Sequence, residues 1–349
     1  MTVRVVLFHQ SKPAIWAHRV SSLADYFLLL ASGAGLMPAH EFMPLVRAAA
    51  QRALEIDPTL PEAHAMLGIA AELYDYDWKE AERLFGLAFA RDPVPPLVHS
   101  WDGYFFHLML LRVENAVEET EQSLQEDPLN QMSRVALAQC LFAAGRHEDS
   151  CRECRRILEL DETRWSGYSI LALNLLCREA SGEALPLAEK AYSLAPWNAL
   201  SIAVLAAALR RSGDSIRAEE VLQPLRDVPQ ACGAPRGLAF FHLFFGEFGQ
   251  AAQWLERSIE QRDPYASIWF AFFPAFRSSE HSPKLAKMTR GTVTSSFLCN
   301  FWRTRSESGI LVLVGRTITP ASISENLNER ETNNQMADEL KLLLGVDGR

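Results

Sequence analysis

The feature that most constrains this chain is a proline that returns at a nearly fixed interval. Asp57-Pro58, Asp92-Pro93 and Asp127-Pro128 are spaced by 35 residues, and an Asp161-Glu162 pair follows after 34. Ala195-Pro196, Val228-Pro229 and Asp263-Pro264 continue the series at 34, 33 and 35. Proline fits the first turn of a helix and breaks its interior, so a periodic proline is a periodic helix boundary. A second mark lies midway between boundaries: Gly145-Arg146 before Ser150, Gly213-Asp214 before Ala218, Gly246-Glu247 before Ala251. There glycine supplies a left-handed turn, and the small residue opens the packing face of a second helix. This pattern describes a stack of helical hairpins, each of which buries its apolar face against the next. The hairpins fall over 59–93, 94–128, 129–162, 163–196, 197–229 and 230–264. A further unit is expected over 23–58 with SGAGLMPAHEF between its helices, and Pro13 marks an earlier boundary.

A globular chain of 349 residues would divide into domains, but a stack grows without dividing. Its 48% hydrophobic and 22% charged residues are those of a soluble protein. The formal net charge of −9 repels phosphates, so neither nucleic acid nor a membrane is expected to bind the repeats. Six cysteines at irregular spacing do not form a disulfide framework. Cys140, Cys177 and Cys232 lie among apolar or small residues, where cysteine behaves as a small hydrophobe. A reducing, cytoplasmic location is the expectation. The start, MTVRVVLFHQSKP, is too poor in apolar residues for a signal peptide. LADYFLLLASGAGLM is too short for a membrane span and is interrupted by Asp25, so it reads as a buried helix.

The expected fold is therefore all-α: a right-handed α–α superhelix with an irregular C-terminal tail. Residues 1–13 stay unassigned, 14–264 form about seven helical pairs, and 265–290 cap the last unit. Trp269, Phe270, Phe272 and Phe276 supply the apolar cover. Residues 291–349 continue no period: GILVLVGRTITP reads as a short strand and ADELKLLLG as a short helix, each without a partner. A poorly ordered tail is expected, whose removal leaves the fold nearly unchanged.

Leu67-Gly68 with Ala81, Phe85, Ala88 and Pro93, and Leu171-Ala172 with Ala184, Ala188, Ala191 and Pro196, resemble the tetratricopeptide repeat. The stretches LADYFLLL, RALEIDPTLPEAHAMLG, YDYDWKEAERLF and GEFGQAAQWLERSIEQRDP resemble a particular arrangement of it. That arrangement lies carboxy-terminal to winged-helix, adenylate-cyclase or serine/threonine-kinase domains in bacterial regulators. The resemblance implies protein binding or sensing by the repeats, with output from a domain that this sequence does not contain.

No phosphate-binding loop, nucleophile elbow or kinase signature occurs, and no enzyme, cofactor or metal is expected. Cys140, His147, Cys151 and Cys154 offer four soft ligands, but the register spreads them over two helices and puts Cys154 at an apolar packing position. Tyr74-Asp75-Tyr76-Asp77-Trp78 holds two carboxylates, which reads as a helix cap at Asp77 with a packed Trp78. What remains is a surface. First helices line the concave side, with Glu62, Ile69, Glu72, Ser100, Val135, Ser169 and Leu173 facing inward. The partner-binding groove is expected at Tyr104, His107, Gln139, Phe142, Arg210 and Arg211. The Lys, Asn and Arg of the family's carboxylate clamp are absent from matched positions, so an extended or helical peptide fits better. The two readings are a non-enzymatic scaffold for a protein or peptide, and the sensory part of a larger regulator. Oligomeric state is not readable.

Overall fold

The computed structural model describes residues 38–229, 231–266 and 268–290. The buried helix expected over LADYFLLL, the segment 1–13 and the tail 291–349 lie outside them. The first described helix, α1, spans Ala39–Ile56, so the residues AHEF of the expected inter-helix segment are already helical. The hairpins that follow pair α2 (Pro61–Ala70) with α3 (Trp78–Ala88), α4 (Pro96–Trp101) with α5 (Val113–Glu126), and α6 (Gln131–Ala143) with α7 (His147–Leu160). They continue as α8 (Trp165–Cys177) with α9 (Ser181–Leu194), α10 (Ala199–Arg211) with α11 (Ser215–Asp227), and α12 (Ala234–Phe244) with α13 (Phe248–Glu260). Three short helices close the described chain: α14 (Trp269–Phe272), α15 (Pro274–Arg277) and α16 (Ser282–Arg290). No strand occurs among the described residues.

Local chemistry sets the boundaries. Asp57 Oδ1 accepts from the backbone N–H of Thr59 at 3.0 Å and from its hydroxyl at 2.7 Å, and Asp161 repeats this with Thr163 at 2.9 and 2.6 Å. Such a turn competes with the helix ladder and ends it. At two other boundaries a side chain caps the next helix: Asn130 Oδ1 accepts from the N–H groups of Met132 and Ser133, both at 3.1 Å. Asn198 does the same for Leu200 and Ser201.

At the turn between the two helices of each hairpin one residue takes a left-handed conformation. In three hairpins it is Gly145, Gly213 or Gly246, and in the others Tyr76 (φ 60°), Leu111 (φ 61°) or Glu179 (φ 62°). A non-glycine residue there costs about 1–2 kcal/mol, against about 0.5–1 kcal/mol for ordering a glycine. Exposed Glu179 makes the cleanest test. Glu179→Gly is expected to stabilise by about 0.5–1 kcal/mol, read as a higher urea midpoint at unchanged slope. A lower midpoint would contradict this reading of the turn.

The first two hairpins contain something the regular pattern does not. After α2 the chain makes a π turn over Ala71–Asp75, and after α4 another over Asp102–His107. These hairpins end the two consecutive 35-residue intervals, and a π turn absorbs one extra residue without breaking the helix. The later long interval spends its residue elsewhere: α12 begins at Ala234, five residues after Pro229, whereas α8 and α10 begin three after Glu162 and Pro196.

First helices form the inner layer and second helices the outer. Every residue of α10 from Ala199 to Leu209 is buried, whereas α13 buries only Ala251, Leu255, Ser258 and Ile259. First helices of successive hairpins touch one another along the stack. Small residues allow this approach: a Cβ added at Gly103 would lie 2.8 Å from the carbonyl oxygen of Ala116 on the facing helix.

The layer curves far enough to close. The indole N–H of Trp78 donates to the carbonyl of Thr289 at 2.9 Å, and Arg262 donates to the carbonyl of Tyr74 at 2.7 Å. The Arg262 guanidinium lies 5.0 Å from the Tyr76 ring centre, and Phe105 meets Tyr265 at 6.4 Å. Residues 262–289 thus rest on the first two hairpins as well as on the last. Of the expected cap residues, Phe272 and Phe276 are buried, and Phe276 packs on Phe248 at 5.7 Å. The side chains of Trp269 and Phe270 lie outside the described residues.

Candidate functional site

The two π turns place carboxylates in the interior. Glu72, in the first, is fully buried, and neither carboxylate oxygen has a hydrogen-bond partner within the fold. Burial pushes its pKa well above the usual carboxylate range, and the neighbouring charge of Asp102 pushes the same way. Asp102 and His107 open and close the second π turn, and Asp102 Oδ2 lies 3.1 Å from His107 Nε2. The other ring nitrogen, Nδ1, is buried without a partner. The His107 side chain keeps 17% of its surface and Asp102 8%, so this pair meets solvent at His107.

A carboxylate–imidazole pair is half of a nucleophile-activating triad, but no hydroxyl or thiol among the described residues bonds the free face of His107. Nor does any group of three or more His, Cys, Asp or Glu among the described residues have the arrangement of a metal site.

The raised pKa has a measurable consequence. A carboxyl whose folded pKa exceeds its unfolded value binds more protons in the native state, so stability falls as pH rises from the unfolded pKa to the folded one. Wild-type protein is expected to lose stability from about pH 4.5 upwards relative to Glu72→Gln, which carries no titrating group there. The check is the difference in urea midpoint between the two at pH 4 and pH 8. A constant difference would refute the shifted carboxyl.

The structure corrects the groove. Tyr104 is 1% exposed, and Gln139 and Phe142 are wholly buried. Tyr104 packs edge-on to Phe105 at 5.0 Å, and Phe142 edge-on to His147 at 5.0 Å. A side chain without accessible surface offers a partner no contact area, so these three act as core. Ile69, Ser100, Val135, Ser169 and Leu173 are buried as well, and Glu62 is partly exposed. Inward on this curved layer means packed.

His107 keeps accessible surface at the end of the second π turn, and Arg210 and Arg211 keep it at the end of α10, three hairpins further on. Arg210 donates to Glu247 at 2.7 Å and lies 3.9 Å from the Phe245 ring centre; Arg211 lies 5.2 Å from that of Phe244. Burial pushes the Glu247 carboxyl up, but hydrogen bonds from Arg210 and His242 leave it below its ordinary value. This is an ion pair on an aromatic shelf.

Cys151 and Cys154 sit in an apolar cluster with Val135, Ala138, Ile157, Ile170 and Leu171. Burial pushes the Cys154 thiol well above its usual range, which disfavours the thiolate. His147 turns to Asn174 Oδ1 at 3.0 Å. Asp77 Oδ1 accepts from the N–H of Glu80 at 3.1 Å and caps α3, with Trp78 buried beside it.

Against solved structures the likeness is one of fold. The APC/C hetero-tetramer Cut9-Hcn1 is matched with a TM-score of 0.51 at 13% identity, over 80% of this chain and 55% of that one. The pilF protein of Pseudomonas aeruginosa is matched at 0.48 and 17% identity, over 68% of this chain and 100% of that one. PilW, a type IV pilus biogenesis factor, is matched at 0.49 and 15%, over 61% and 93%. The fold is an all-α, right-handed superhelix of tetratricopeptide type. No family model and no curated protein matches the sequence. The resemblance to the repeat regions of bacterial regulators therefore rests on sequence motifs alone. No helix among the described residues is long and apolar enough to cross a membrane.

Proposed function

We propose that this chain is a non-enzymatic scaffold that holds a protein segment against the layer of first helices. The observation that carries this reading is the accessible surface kept where first helices end: His107 beside Asp102, and Arg210 and Arg211 over the rings of Phe245 and Phe244. Stacked repeats create extended concave surfaces of this kind. The acidic surface favours a protein partner over nucleic acid or an anionic membrane.

The accessible positions supply the test. His107→Ala with Arg211→Ala is expected to weaken capture of partner proteins from source-cell extract at least tenfold, at unchanged helicity. Equal capture by wild-type and doubly substituted protein would remove this face as the binding surface.

A further inference from the structure

We propose that the furrow between α9 and α11, on the outer layer of the stack, is a binding site for one long basic side chain, lysine or arginine, of a protein segment. It lies on second helices, away from the face proposed above, and stands independently of that reading.

The packing of the stack explains the opening. First helices of successive hairpins lie side by side, whereas second helices meet little, so the outer layer has room between them. Between α7 and α9 apolar side chains from both helices, Leu158 and Leu187, pack on the cluster around Cys154. Between α9 and α11 a cavity of about 330 Å³ remains, lined by Glu189, Tyr192, Leu205 of α10, Arg217, Glu220 and Val221. Ligand clefts span about 300–1,000 Å³, so this one has room for a single long side chain.

Its floor is apolar. Leu205 is 2% exposed, and Tyr192 and Val221 are partly buried against the main core. Its rim is charged and unbalanced. Arg217 donates to Glu189 at 2.8 Å, which leaves Glu220 exposed and without a hydrogen bond or ion pair among the described residues. The other cation of α11, Arg226, is taken by Glu219, and Lys190 of α9 does not line the furrow. Across α9 and α11 five acidic residues face three basic ones, so the furrow repels an anion and draws in a cation.

An apolar floor beneath an unpaired carboxylate fits a side chain with an apolar stem and a charged end. The methylenes of lysine or arginine cover Tyr192, Leu205 and Val221 while the head pairs with Glu220. A wholly apolar side chain would gain nothing from Glu220, and a short cation nothing from the floor.

The test uses the full chain, ¹³C-labelled at leucine and valine methyl groups, and four acetylated and amidated tripeptides of the form Ala-X-Ala. X is lysine, arginine, norleucine (a stem without charge) or diaminopropionic acid (a charge on a short stem). The lysine or the arginine peptide is expected to bind saturably and to shift the methyl signals of Leu205 and Val221. The norleucine and diaminopropionic acid peptides should each bind at least tenfold more weakly. The better basic peptide should lose affinity by the same factor in Glu220→Gln, a change at an exposed position that leaves the fold intact. No saturable shift of these signals, equal binding by either control peptide, or unchanged affinity in Glu220→Gln would overturn the proposal.

Discussion

A chain cut after Pro264 is expected to lose most of its folding stability. The removed residues Tyr265, Phe272, Phe273 and Phe276 are each at most 1% exposed, and they pack on both ends of the described array. Phe276 lies on Phe248, Phe273 meets Phe240 at 6.2 Å, and Tyr265 meets Phe105. Burying an aromatic side chain of this size is worth about 1.5–3 kcal/mol, so four supply about 6–12. A whole domain is stable by only about 5–15 kcal/mol. The truncated protein should be insoluble, or should melt far below the full chain in a circular-dichroism scan. Melting within a few degrees of full length would show that residues 265–290 only lean on the array. A cut after Arg290, which leaves these contacts intact, is the matched control.

Phe142→Ala is expected to cost about 3–5 kcal/mol, the range for deleting a fully buried phenylalanine ring. Phe142 has no exposed surface and packs edge-on to His147 between the two helices of its hairpin. The measurement is the urea midpoint, with Arg211→Ala as a surface control expected to change it little. A loss below about 1 kcal/mol would mean that the site collapses without a cavity and that Phe142 is not core. Any loss of partner capture in this variant, or in Tyr104→Ala, follows from loss of the fold rather than from a lost contact.

The hairpin plan was legible because it is local. A proline at Pro128 and a glycine at Gly145 act within one turn of where they stand, and α6 and α7 begin and end accordingly. The curvature was not legible, because it accumulates from a small rotation at every hairpin. No sequence period reports that Trp78 will reach Thr289, 211 positions away. The tight contact of first helices turned Tyr104, Gln139 and Phe142 from a lining into a core. The register put them on the inner side, which is a statement about direction and not about accessibility.

The π turns fall between these cases. Intervals of 35 residues, rather than 34, mark the first two hairpins in the sequence itself. The same excess before Pro264 went into the loop ahead of α12, so length alone does not say where the extra residue goes. Glu72 was seen as inward-facing, but its lack of a partner depends on where Arg47 and Arg262 end up. The cysteines followed composition: Cys154 fills an apolar packing position, as its place in the repeat indicated.

The claim that most needs testing is that the first-helix layer at the second hairpin receives a protein segment. The direct measurement is site-specific photocrosslinking in the source cells. A benzophenone amino acid is placed at His107, or at Glu118 on the outer helix α5, where the side chain is exposed. A discrete protein adduct from position 107 that is absent from position 118 is the expected result. The same adducts from both positions, or none from position 107 while position 118 gives one, would contradict it.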